Sequence, residues 1–191
     1  MTPKFLLRIG LGLLLVLIPV NLAAKEKPEY DEKVYLNEAQ ALKLVFKDLR
    51  IEKKQMTLTA SQKNQIQKRL RRKLEESQFT FYIGKKQERP EMYALILNEN
   101  GKHFPMTFIV ALNTKAVVQQ VAIMVYREKR GDAVKRSRFL NQFNNKSSHD
   151  PIEVNTDIVH LTGATISSWA VAAGVKKAVV VTEEVMVKAT P

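Results

Sequence analysis

The chain has 191 residues, 45% hydrophobic and 26% charged, a balance that is globular and excludes a disordered protein. It contains no cysteine, so disulfides, thiolate metal sites, iron–sulfur clusters and thioether-linked haem are excluded. The formal net charge of +12 calls for an anionic partner of some kind.

The first segment reads as an export signal rather than as part of the fold. Lys4 and Arg8 precede an apolar run from Ile9 to Ala24, and Lys25-Glu26-Lys27-Pro28 follows. A basic head, an apolar centre and small residues near Ala24 make a signal peptide over 1–24, with an uncleaved N-terminal anchor as the alternative. The run has 16 residues, whereas a spanning helix wants about 20. Either reading places the rest outside the cytoplasm, in the periplasm or anchored facing it. Loss of Lys4 and Arg8 leaves +10 on the mature part. Nucleic acid is not the expected partner of an exported protein. An acidic redox partner, an anionic membrane face or a phosphate-bearing ligand fits the charge better.

Residues 25–35 are expected to form a flexible leader, and 36–188 a single domain. Asn37-Glu38-Ala39-Gln40 has the form of a capping box, with Leu42, Val45 and Phe46 on one helical face up to about Asp48. Thr59-Ala60-Ser61-Gln62 starts a second helix, on which Ile66, Leu70 and Leu74 form a stripe. Lys63, Lys68, Arg69, Arg71, Arg72 and Lys73 read as its solvated face. Strand patterns follow at Phe79–Ile83, Tyr93–Leu97, Phe104–Leu112 and Ala116–Tyr126, joined by short polar turns at Asn98–Gly101 and Asn113–Lys115. A charged loop containing Gly131 leads to a short helix from Arg136 to Phe143, then to a loop. Ile152–Val159 is expected to hold a last short strand. From Ile166 to about Val187 the chain reads as a long helix, with Val171, Val175, Ala178, Thr182 and Val185 along one face. Helices first, an antiparallel meander in the middle and a long helix last give an α+β fold in one domain.

Chemistry-bearing motifs are few. His103, His149 and His160 have no metal-ligand spacing, and there is no GxSxG elbow, GxGxxG turn or phosphate-binding loop. The informative stretch is Thr162-Gly163-Ala164-Thr165, just ahead of the long helix. A helix N-terminus offers unpaired N–H groups and the positive end of its dipole, where phosphate sits well. Gly163 permits a tight turn and a close approach, and Ala164 obstructs nothing. Thr165 presents a hydroxyl at the mouth of the helix, with Ser167 and Ser168 nearby. The plainer alternative is an N-cap in which Thr165 bonds the N–H of Ser168.

This stretch resembles the flavinylation motif of the FMN-binding domain family, Asp-x-x-(Ser/Thr)-Gly-Ala-(Thr/Ser). That family includes flavin subunits of sodium-pumping NADH:quinone reductases and Rnf-type complexes, and exported free-standing proteins. The resemblance extends upstream through "YREKRGDAVKRSRFLNQFNNKSSHDPIEVNTDI", with Glu128, Gly131, Phe139, Gln142, Phe143 and Lys146 at the family's positions, and through "EAQALKLVFKD". It covers roughly Leu36 to Val185. It implies FMN as cofactor, joined by its phosphate to Thr165 by a separate flavin transferase that uses FAD. It further implies cofactor contacts from Thr162, Gly163, Ala164 and Ser167. Phe139 and Phe143 either wall the ring or pack the core. Gln142 is a candidate for the ring edge, and Lys146 either neutralises phosphate or is solvated. The implied role is electron transfer with a redox partner protein, soluble or membrane-bound, rather than catalysis on a substrate of the protein's own. One position departs from the pattern: the family's aspartate falls at Val159, with Asp157 two residues early and His160 one late. That departure supports the alternative of an exported non-redox binding module with a degenerate motif.

Overall fold

The structure is a computed structural model that describes residues 32–188. The expected signal or anchor at 1–24, and most of the expected leader, lie outside the described residues. The leader ends earlier than expected. Lys33–Val34 is a short strand, β1, paired antiparallel with the end of the sheet at Tyr126 and Val125.

Helix α1, Glu38–Phe46, starts at the expected capping box: the Asn37 side chain accepts from Gln40 N, and Gln40 returns the bond to Asn37 N. Helix α2, Ala60–Leu70, starts in the same way at Thr59. It ends a turn sooner than its apolar stripe suggests, because Arg71 takes a left-handed conformation (φ 53°). Gln67 then accepts the Leu74 N–H, so Leu74 is buried from a loop instead of a helix.

Between the two helices lies a strand that the sequence pattern does not announce. β2, Arg50–Thr57, pairs along its whole length with β3, Gln78–Lys86. Seven of its eight residues are exposed, so it lacks the apolar alternation that marks a half-buried strand. β4 (Arg89–Asn100), β5 (Pro105–Asn113) and β6 (Val118–Tyr126) complete an antiparallel sheet of order β1-β6-β5-β4-β3-β2. The fold is therefore α+β in a single domain, as expected, although strands also flank the first helices.

β5 lies inside the sheet, and its alternation divides the core in two. Met106, Phe108, Val110 and Leu112 face one side, while Ile109 and Ala111 face the other. On the second side α1 lays Ala41, Val45 and Phe46 over Tyr82 and Ala94. The first side is covered by α4, Thr165–Thr182, which continues into a π-turn at Glu183–Val187. Val171, Val175, Ala178, Thr182 and Val185 are all buried, as the periodicity predicts.

Helix α2 packs beside α4, and the basic residues on it and just after it are not all solvated. Arg69 pairs with Glu183 and Glu184, and Arg72 makes two bonds to Glu99. Lys177 on α4 is buried between Glu76 and Glu99, each at 2.7 Å. The remaining connections follow β6: a single 3-10 turn at Asp132–Lys135, a short helix α3 at Ser137–Leu140 and a second 3-10 turn at Asn141–Phe143. The expected strand at 152–159 is absent. Asp157 accepts the backbone N–H groups of Ile152 and Glu153, which curls the segment into a loop with one bridge, Val154 to Ile158.

Candidate functional site

The N-terminus of α4 opens onto a pocket of about 610 Å3. Three segments build it: the β4–β5 turn (Lys102, His103, Phe104), the loop after β6 (Glu128, Lys129, Arg130, Gly131) and the start of α4 (Gly163 to Ser167). The sheet brings the first two together, because β5 runs antiparallel between β4 and β6.

Thr165 is the first residue of α4, and its side chain is exposed in the pocket. It is not the N-cap. Ala164 occupies that position, with no side-chain bond to the helix start. The Ser168 N–H, which a capping Thr165 would take, goes to the Ala164 carbonyl at 2.8 Å. Ser168 is itself fully engaged: its hydroxyl donates to Ala164 O and accepts from Leu161 N. Ser167 is also committed, as its Oγ lies 2.8 Å from the Tyr126 hydroxyl. Of the four hydroxyls near the turn, only those of Thr162 and Thr165 are exposed, and Thr162 does not line the pocket.

Tyr126 ties two walls together. Its hydroxyl is buried and donates to Arg130 O at 2.6 Å, so it receives the proton of Ser167. Burial raises the Tyr126 pKa, which keeps the phenol protonated and able to donate. Gly131 sits against both groups with φ +98°. A Cβ there would lie 2.6 Å from the Tyr126 oxygen and 2.7 Å from the Ser167 oxygen. Gly163 has φ +77° as well, but nothing stands within 4 Å of where its Cβ would be, so that side of the turn is open.

Glu128 is the single acidic residue of the lining, and it is turned inward. Its carboxylate accepts the N–H groups of His103 and Phe104 at 2.5 and 3.0 Å. Burial opposes its charge, but those backbone donors outweigh burial and hold its pKa below the usual carboxylate value. Lys102, Lys129 and Arg130 are exposed and form no ion pair among the described residues. The pocket thus combines a helix N-terminus with a hydroxyl and three cations that are unpaired among the described residues.

The FMN-binding domain family model matches residues 101–180, a span that contains every residue lining this pocket. The chain carries an FMN-binding domain. FMN is its cofactor. The matched span of the FMN-binding domain starts after β4, so α1, α2 and β1–β4 precede it. No match to the chain is found among the curated proteins.

The residues present fit FMN. The volume falls within the roughly 300–1,000 Å3 of pockets that take cofactor-sized ligands. The cations and the helix N-terminus suit a phosphate, with the dipole contributing about 0.3–1 kcal/mol.

The other residues expected at the site fall elsewhere. Phe139 and Phe143 are fully buried and meet edge to face at 5.4 Å, so of the two roles expected for them they take the core one. Gln142 is occupied with the backbone of Val159, accepting its N–H and donating to its carbonyl. Lys146 is neither solvated nor at the pocket: it pairs with Asp157 at 2.8 Å and Asp150 at 3.6 Å. Asp157 spends its carboxylate on Lys146 and the 152–158 loop, while Val159 is 72% exposed. Sequence reading missed Lys102, Phe104, Tyr126, Lys129 and Arg130, which no local motif marks. Glu128 and Gly131 had a signal only in the family's Glu-x-x-Gly spacing.

Proposed function

We propose that the protein is an extracytoplasmic flavoprotein that carries FMN as a phosphoester on Thr165 and passes electrons to and from partner proteins. The observation that carries this reading is the Thr165 hydroxyl, exposed at a helix N-terminus in a cofactor-sized pocket rimmed by three cations, all without a hydrogen-bonded or ion-pair side-chain partner among the described residues. In the attachment step the Thr165 Oγ–P bond forms as the FAD pyrophosphate bond breaks. AMP leaves, and the hydroxyl proton passes to solvent through the transferase. When bound, the isoalloxazine ring supplies the redox chemistry. Of the chain's own residues, the first turn of α4 and the cations would hold the phosphate, and Tyr126 and Ser167 fix the turn. The basic head and apolar run at residues 4–24 support export. With no cysteine in the chain and no metal-binding cluster among the described residues, electrons are expected to come from and go to other proteins.

The test is co-expression with a flavin transferase, followed by in-gel flavin fluorescence after denaturation and peptide mass mapping. Flavin on the peptide that contains Thr165 supports the proposal. Wild type without flavin, in the presence of active transferase and FAD, overturns it. Val159, exposed at the position of the motif aspartate, favours a second reading in that case: an exported module that does not carry covalent flavin.

A further inference from the structure

We infer that the mouth of the pocket and the adjoining first turns of α4 are a docking surface for an acidic electron-transfer protein, with Lys102, Lys129 and Arg130 as its charged part and Ile166, with Trp169 next to it, as its apolar part. This rests on the reading of Thr165 as the FMN attachment residue, since it places the surface around that residue.

The charges cannot be accounted for by the cofactor alone. A phosphate joined to Thr165 is a diester with a single negative charge. The rim carries three cations, so an excess of positive charge faces solvent once FMN is in place. The nearby carboxylates do not cancel it. Glu128 is turned inward onto backbone N–H groups, and Asp132 is held by Tyr35, Lys33 and Lys135.

The apolar part has an independent basis. Ile166 and Trp169 are three residues apart on α4, so their side chains are neighbours; Ile166 lines the pocket, and Trp169 lies one turn along, beside Ile152 and Val154. Ile166 and Trp169 are 50% and 48% exposed, although the rest of that helix is largely buried. Trp169 is the chain's only tryptophan. Exposed large apolar side chains next to cations that form no ion pair among the described residues have the composition of a protein interface, with an aromatic or aliphatic part and a polar rim. An acidic partner is steered to such a rim and arrives with its own redox centre close to the ring.

Docking is measured first on Thr165→Ala protein, which carries no flavin, so the result does not depend on attachment. The probe is an acidic blue-copper protein, and a basic cytochrome c serves as the opposite-charge control. Binding is followed by NMR line broadening at low salt. Replacement of Lys102, Lys129 and Arg130 together by Glu should weaken blue-copper binding by about tenfold or more. A second triple variant, Lys54→Glu, Lys68→Glu and Arg71→Glu, makes the same change in net charge at exposed positions away from the pocket and should weaken it by less than about twofold. Trp169→Ser should also weaken binding, and should do so at a salt concentration that screens the rim.

On flavinylated wild type, anaerobically reduced, each flavin would give one electron to each of two blue-copper centres, Cu(II) to Cu(I), and release its two protons to solvent. That rate should fall about tenfold with added salt, while the cytochrome c rate should rise. Equal weakening by the two triple variants would mean that net charge alone is responsible and would overturn the inference. It is also overturned if the wild type binds vesicles of anionic lipid through these residues while its blue-copper binding is indifferent to them, because the surface then faces a membrane.

Discussion

Replacing Gly131 by alanine puts a methyl group where two oxygens already converge. The new Cβ would lie 2.6 Å from the Tyr126 hydroxyl and 2.7 Å from the Ser167 hydroxyl. Neither has a cheap retreat: Tyr126 is fully buried and Ser167 is 5% exposed. Breaking their contacts forfeits a hydrogen bond and leaves a buried polar group unpaired, about 1–3 kcal/mol. The backbone adds a second cost, because φ +98° suits glycine and charges an L-residue about 1–2 kcal/mol. The expected loss is therefore on the order of 2–5 kcal/mol, a large part of a usual total of about 5–15. For a domain of this size it lowers Tm by roughly 4–20 °C.

Gly163→Ala is the control. It shares the positive φ but meets no atom within 4 Å, so only the backbone cost of about 1–2 kcal/mol applies. Thermal unfolding by circular dichroism measures both variants. In the double variant Gly131→Ala with Tyr126→Phe, the removed oxygen relieves part of the clash, and the loss should be smaller than the sum of the single losses. Flavin attachment to Thr165 should fall in Gly131→Ala even well below its Tm, since the displaced wall carries Arg130. Equal destabilisation by the two glycine substitutions, or additive behaviour in the double variant, would refute the reasoning that Tyr126 and Ser167 clamp Gly131.

Thr165→Ala should abolish covalent flavin, Thr165→Ser should retain some, and Thr162→Ala should reduce it in part, all read by fluorescence of denatured protein. Because Thr165 caps nothing, Thr165→Ala should shift Tm by less than about 2–4 °C, equivalent to roughly 1 kcal/mol. Val159→Asp should raise the flavinylated fraction seen by intact mass, and a wild type already fully modified would show that the position does not matter. Asp157→Asn should cost about 1–3 kcal/mol at neutral pH through the lost Lys146 pair and weakened loop bonds. Although burial opposes its charge, Lys146 and the N–H groups of Glu153 and Ile152 hold the Asp157 pKa below its ordinary value of 3.8. A depressed carboxylate stabilises above the unfolded-state pKa and loses that contribution as pH falls through the folded one. The gap between wild type and Asp157→Asn in urea melts should therefore be full near pH 7 and narrow steadily below about pH 4.

Local chemistry alone determined much of this protein. Asn37 and Gln40, and Thr59 and Gln62, are capping boxes that act within four residues, so both helix starts were legible. The apolar alternation of β3–β6 and the period of α4 follow from burial on one face, which a sequence records directly. Thr162-Gly163-Ala164-Thr165 was legible as a turn before a helix for the same reason. The rest depended on partners distant in sequence. β2 is polar on both faces and is a strand only because β3 pairs with it. The β3–β4 turn uses left-handed Gln87 and Glu88 rather than the Asn-Gly signal, so the hairpin register had to come from pairing. At the site, the sheet carries Lys102 and Arg130 to one pocket mouth, and Tyr126 reaches across 41 residues to Ser167. Phe139, Gln142, Phe143 and Lys146 lie near the motif in sequence, but the core, the Val159 backbone and Asp157 take their side chains first. Periodicity and capping report what a residue does with its immediate neighbours. Which side chains remain free to meet a ligand is settled only once every long-range donor, acceptor and charge has found its partner.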